Sequence, residues 1–163
     1  MEMMNAATKR PAAKPRLLIG LGNTLMGDDG IAYHILERLA GHPGLPEDVE
    51  LHWGGADLLA AADLMLGRSR VWVLDAVEDP DRPGVLKILD DLSELETNVL
   101  SAHQLSAAGE IELLKLVEPE LRHVPVRLMG VTVSGSRTSA ELSPELARAL
   151  PELVEQLLAE LAR

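Results

Sequence analysis

The chain has 163 residues and a formal net charge of −11, is 47% apolar, and contains neither Phe nor Cys. That length suits one domain with a real core, built from Leu, Val, Ile, Ala and Met because aromatics make up only 2%. The charge argues against nucleic acid and anionic membrane as partners, since both want basic surface, and the absence of Cys excludes disulfides, thiolate metal sites and a cysteine nucleophile.

Residues 1–15 hold Lys9, Arg10 and Lys14 but no apolar stretch. They read as a disordered extension rather than a secretion signal. No run is long enough to span a bilayer, and a cytoplasmic location is expected. Arg16 to Gly20 reads as the first strand. Ile31, Ile35 and Leu39 recur every four residues beside Ala32, Leu36 and Ala40, which predicts a helix stopped by Gly41 and Pro43. Val49 to Trp53 reads as a second strand turned by Gly54-Gly55, and Leu58 to Leu66 as a short helix. Val71 to Asp75 is nearly all apolar, as a central strand buried on both faces should be. Pro80 to Gly84 makes a turn before a short edge strand, Val85 to Leu89. Ala107, Ile111 and Leu114 mark a helix following His103, and Val126 to Val133 is the last strand. Ser143 and Pro144 make a good helix start, with Leu146 to Leu161 continuing it and a kink or break expected at Pro151. Glu152, Glu155 and Glu160 read as the solvated face of that helix.

Strands alternating with helices predict an α/β three-layer sandwich: a mostly parallel twisted sheet of about five strands with helices on both faces, in a single domain over residues 16–163. Functional groups in such sheets gather at the carboxyl ends of strands. Asp28 and Asp29 follow the first strand, Asp75 ends the central one, and His103 opens the later helix, so these four can converge although distant in sequence.

The turn Gly20-Leu-Gly-Asn-Thr-Leu-Met-Gly-Asp-Asp-Gly30 is the most informative stretch. Glycines between strand and helix commonly hold phosphate on backbone N–H groups. Gly22 to Gly27 has the gap of a phosphate loop, yet Asp28 and Asp29 stand where Lys and Ser/Thr should follow, and their charge would repel an anion. Gly20-Leu21-Gly22 lacks the third glycine of a dinucleotide fingerprint. No G-x-S-x-G elbow exists, and His34, His42, His52 and His123 show no metal-ligand spacing. Each acid also has an ordinary use: Asp28 as a helix N-cap, Asp29 against the helix dipole, Asp75 as a turn residue before Pro80. Asn23 is either a turn residue or presents its amide to a substrate backbone. Trp53 either packs in the core or lines a groove.

Three segments together resemble the [NiFe]-hydrogenase maturation endopeptidases: Gly20 to Gly30, Val73-Leu-Asp-Ala-Val77 with Pro83-Gly84 after it, and Ser101-Ala-His-Gln-Leu105, with Leu128-Met-Gly-Val131 as a weaker fourth. The resemblance implies an endopeptidase that removes the C-terminal extension of a nickel-loaded hydrogenase large-subunit precursor, with the bound nickel as recognition signal. It implies Asp29, Asp75 and His103 as catalytic and metal-contacting residues; with that activity, Asn23, Gly54 and Gly55 are expected to bind the substrate's tail. The nickel arrives on the substrate, so none is expected to be tightly bound by the free protein. Two carboxylates and an imidazole suit a borderline divalent ion and leave positions for the substrate's own groups. The chain departs from the family after its second strand, where Trp53 replaces an acid and Ala56 a Thr, with Asp57 one step further. After Gly130, Val131-Thr-Val-Ser134 stands where a Pro-bearing loop is usual. These departures motivate an alternative, a non-catalytic metal-dependent binding or chaperone module for a nickel-bearing partner.

Overall fold

The computed structural model describes residues 13–89 and 102–163, the side chains of 102–106 excepted. Most of the extension expected over residues 1–15 therefore lies outside the described residues. Five strands form one sheet: β1 (Arg16–Leu21), β2 (Val49–Gly55), β3 (Arg70–Glu78), β4 (Leu86–Leu89) and β5 (Val126–Val133), in the order β2-β1-β3-β5-β4. All pairings are parallel except β4 with β5, the expected edge strand. Helices α1 (Ile31–Leu39), α2 (Ala62–Met65), α3 (Ala102–Val117) and α4 (Pro144–Leu161) flank it.

Alternation along the strands sorts the core into two layers. Leu18, Trp72, Leu74 and Met129 face α1 and α4, where Ile31, Ile35, Leu150 and Leu157 meet them. Leu17, Ile19, Val71, Val73 and Leu128 face the other way, against Met65 of α2 and Ala107, Ile111 and Leu114 of α3. The three-layer α/β sandwich is as the strand–helix alternation predicts. Because β2 and β3 lie on opposite sides of β1, the chain reverses its winding direction there, the place where sheets of this kind open a crevice toward the carboxyl ends of their strands.

Two expectations about the last helix need correction. Pro151 does not break α4, which runs unbroken from Pro144 to Leu161. Pro151 and Ala147, whose carbonyl loses its helical donor, are both exposed, so water can satisfy that oxygen, while Leu146, Leu150, Leu153 and Leu157 hold the helix on the sheet. Glu160 is not solvated but 3% exposed, ion-paired to Arg127 and accepting a 3.5 Å hydrogen bond from Trp72 Nε1. Glu152 and Glu155 are exposed as expected. Among the described residues, no helix is long and apolar enough to cross a membrane.

Candidate functional site

The turn after β1 folds back on itself at Gly22, whose φ is +144°. A Cβ there would lie 2.1 Å from the Asp29 carbonyl oxygen, so only glycine allows the Asp29 backbone this close. Within the turn, the Asn23 backbone N–H donates to Asp29 Oδ2 at 3.0 Å, and Asn23 Oδ1 accepts from the Leu25 N–H at 2.9 Å. Asn23 is thus a turn residue, and its carboxamide NH2 has no protein partner among the described residues. A distant loop clasps the turn: Gly27 N–H donates to Ser139 O at 2.7 Å, and Ser139 N–H to Leu25 O at 3.0 Å.

The two adjacent acids go separate ways. Asp28 is buried, and its Oδ1 accepts the backbone N–H of Ser143 at 2.7 Å. Ser143 in turn caps α4 by accepting the Leu146 N–H at 3.4 Å. Asp28 therefore tethers the start of α4 rather than capping α1, whose N-cap is Gly30. Asp29 instead lines a cavity of about 320 Å³ at the switch point, together with Asn23, Gly55, Ala56, Asp75 and Glu110.

Asp75 sits in the carboxyl-terminal half of β3, on the side of the sheet that carries α3, because it alternates with Val73. It is 7% exposed, and its Oδ1 accepts the Ala76 N–H at 2.8 Å. A carboxylate this buried requires partners, and Asp75 has them. The structure thus brings Asp29 and Asp75 to one cavity. His103 falls in the first turn of α3, inside the helix rather than before it, one turn ahead of the cavity-lining Ala107. Its side chain lies outside the described residues. Among the described residues, no three His, Asp or Glu side chains group closely enough to hold a metal.

Gly55 (φ +61°) lines the cavity, and its carbonyl accepts the Gly22 N–H at 2.9 Å, fixing one turn to the other. Gly54 is a packing position: a Cβ there would meet Leu21 and Ile19 at 3.0 and 3.1 Å. Trp53 packs edge-on to Tyr33, with centroids 5.3 Å apart, and rests on the layer of α1 and α4. Ala56, where the resembling family has Thr, presents no polar side chain to the cavity.

Glu110 is the cavity residue that the motifs did not single out. The available signal is helical spacing: Ala107 and Glu110 follow His103 by four and seven residues, one and two turns along the same stripe. Burial first, and the charge of Asp57 second, push the Glu110 carboxyl above the ordinary carboxylate range, while a hydrogen bond from the Leu58 backbone opposes them. Among the described residues, the ionisable ones of the lining, Asp29, Asp75 and Glu110, are all acids. Such a wall repels phosphate and suits cations, metal-bearing groups and peptide N–H donors.

An acid-walled crevice at the switch point of a mostly parallel sheet covered on both faces defines an α/β protein with its working groups toward the carboxyl ends of the strands. Comparison with known proteins gives the class. The hydrogenase maturation protease family model matches residues 33–160, a range that begins after the glycine-rich turn and so does not depend on it. The chain is 30% identical over 148 residues to the hydrogenase 2 maturation protease of Escherichia coli, covering 89% of each chain. It is also 30% identical over 135 residues to protein FrxA of Pyrococcus furiosus, covering 82% of this chain and 95% of the relative. The structure superposes on the E. coli hydrogenase maturating endopeptidase HybD with a TM-score of 0.73 at 30% identity, covering 90% and 91% of the two chains. The fold is shared with HybD from Thermococcus kodakarensis, at a TM-score of 0.74 and 24% identity over 91% and 99% of the chains.

The chain belongs to the hydrogenase maturation protease family. It is a peptidase, and so not the purely binding module kept as the alternative.

Proposed function

We propose that this peptidase removes the C-terminal extension from the precursor of a [NiFe]-hydrogenase large subunit after nickel has been inserted. In this reading Asp29, Asp75 and His103 contact the nickel carried by the substrate. The turns at Asn23 and Gly54-Gly55 receive the extended tail. The observation that carries the reading is the meeting of Asp29 and Asp75, 46 positions apart in the sequence, at one cavity at the switch point. The position of His103, one turn before the cavity-lining Ala107, supports its inclusion.

The chemistry fits. Two carboxylates and an imidazole offer oxygen and nitrogen donors to a borderline divalent ion without saturating it. A set this small holds a free ion weakly and a substrate-borne ion well, which favours loaded precursor over empty. A carboxylate beside the scissile bond is also able to take the proton of an attacking water.

The test is to incubate the protein with nickel-loaded and nickel-free precursor and to weigh the products. The expected result is loss of one C-terminal fragment from the loaded precursor alone. Asp29→Asn and Asp75→Asn variants should each stop trimming while keeping the far-ultraviolet spectrum of the parent. Unchanged precursor mass with the parent enzyme, or normal trimming by both variants, would overturn the assignment.

A further inference from the structure

At the opposite pole of the sheet, where β1, β3 and β5 begin, this acidic molecule carries a concentration of positive charge. Arg16 and Arg70 are register partners on β1 and β3, and Arg127 of β5 pairs with Trp72, two residues along β3. The guanidinium groups of Arg16 and Arg70 lie 5.5 and 5.7 Å from the ring centroid of Trp72, which is fully buried. Arg163 approaches the same spot, 3.9 Å from Glu160. Four of the fifteen Lys and Arg residues of the chain therefore crowd one rim.

The carboxylates in contact with this rim are engaged. Asp48 takes two hydrogen bonds from Arg16, both at 2.7 Å, and Glu160 is paired with Arg127. Arg70 has no carboxylate partner among the described residues; its contact is with the face of Trp72. Beside it lies a pocket of about 190 Å³ lined by Arg70, Pro125, Val126 and Arg127. A guanidinium held 5.7 Å over a rigid ring by cation–π attraction is partly ordered before it binds. Its planar fork matches the two oxygens of a carboxylate or phosphate.

We propose that the pocket between Arg70 and Arg127 is an oxyanion-binding site, separate from the peptidase cavity, with Arg70 as its principal donor. Asp75 follows Arg70 by five strand residues, which separates the two sites by roughly 16 Å along β3. Its ligand is a carboxylate or phosphate group, presented either by an acidic peptide segment or as a free small anion.

The indole N–H of Trp72 reports on the site, since Trp72 lies under Arg70 and touches Glu160. The experiment titrates the isotope-labelled full chain with inorganic phosphate, and separately with a capped triglutamate peptide, at low and constant ionic strength. The expected result is a saturable shift of the Trp72 indole and Arg70 Nε–H signals that weakens as salt is added. Arg70→Gln should weaken binding at least tenfold, Arg70→Lys should fall between, and both should keep the parent spectrum elsewhere. Tighter binding of the peptide assigns the ligand to an acidic protein segment, and tighter binding of phosphate assigns it to a small anion. No saturable shift with either probe, or an unchanged titration in Arg70→Gln, overturns the proposal whether or not the protein trims a precursor.

Discussion

Replacing Gly22 with Ala tests whether the glycine turn exists to place Asp29. The added Cβ would sit 2.1 Å from the Asp29 carbonyl oxygen, whereas an ordinary contact begins near 3.4 Å, so the backbone must yield by over 1 Å. The residue would also be held at φ +144°, which an L side chain rarely adopts. Gly135 separates the two effects, because it has φ +149° but nothing within 4 Å of a built Cβ. Gly135→Ala should lose about 1–3 kcal/mol of stability to backbone strain alone. Gly22→Ala should lose more than that, and should also displace Asp29 within the cavity. A displacement of this order costs about a hundredfold in rate, or roughly 2.7 kcal/mol of transition-state stabilisation. Denaturant unfolding measures the stability of both variants, and the rate at which the precursor's tail is released measures trimming. Trimming at the parent rate by Gly22→Ala, or equal losses of rate in the two variants, would refute the idea that the turn is built around Asp29.

Three further outcomes follow from the charges. Removing Arg127 leaves the buried Glu160 carboxylate without its main partner, so Arg127→Met should destabilise by about 3 kcal/mol or more. Glu160→Gln, which keeps an acceptor for the Trp72 indole, should cost only about 1–2 kcal/mol, and the reverse order in denaturant melts would contradict this account. Hydrogen bonding to the buried Arg68 guanidinium, at 2.7 Å, holds the Glu50 carboxyl below its ordinary value of 4.5. Its contribution is therefore present above that value and is lost as pH falls through the lower folded-state one. Stability measured from pH 6 down to pH 3 should decline more gently in Glu50→Gln than in the parent. Glu110 has the opposite sign: its raised carboxyl favours folding at low pH and loses that advantage as pH rises through the folded-state value. Glu110→Gln should accordingly be more stable than the parent at pH 7, with the gain vanishing in acid, and a loss at pH 7 would show that the Leu58 hydrogen bond outweighs desolvation.

Elements defined by local pattern were legible in the sequence. The even run of β5, the buried run of β3, the Ser143-Pro144 start of α4 and the edge position of β4 all follow from spacing, capping and turn chemistry. Asp29 and Asp75 were legible as partners because parallel sheets place strand ends together. Features decided by tertiary contacts were not. Pro151 reads as a helix breaker until the packing of Leu150 and Leu153 outweighs its missing donor. Glu160 reads as surface until Arg127 and Trp72, far away in the chain, close over it. Asp28 reads as the cap of the next helix, yet its acceptor serves the cap residue of the last one. The remaining member of the proposed set, His103, has its side chain outside the described residues.

The bond between Asp28 and Ser143 joins positions 115 residues apart, and Arg16 donates to the Leu161 carbonyl across 145. During synthesis the glycine turn emerges from the ribosome long before Ser139, Ser143 or α4 exists to clasp it. Asp28 then has no N–H of Ser143 to accept, and the turn is held by its bond to Gly55 and by the pairing of β1 with β3. The cleft therefore takes its full shape only after α4 has been made. A chain cut before α4 would carry every motif of the peptidase without the clasp on its glycine turn, so loss of that helix should silence an enzyme whose cavity residues are all still present.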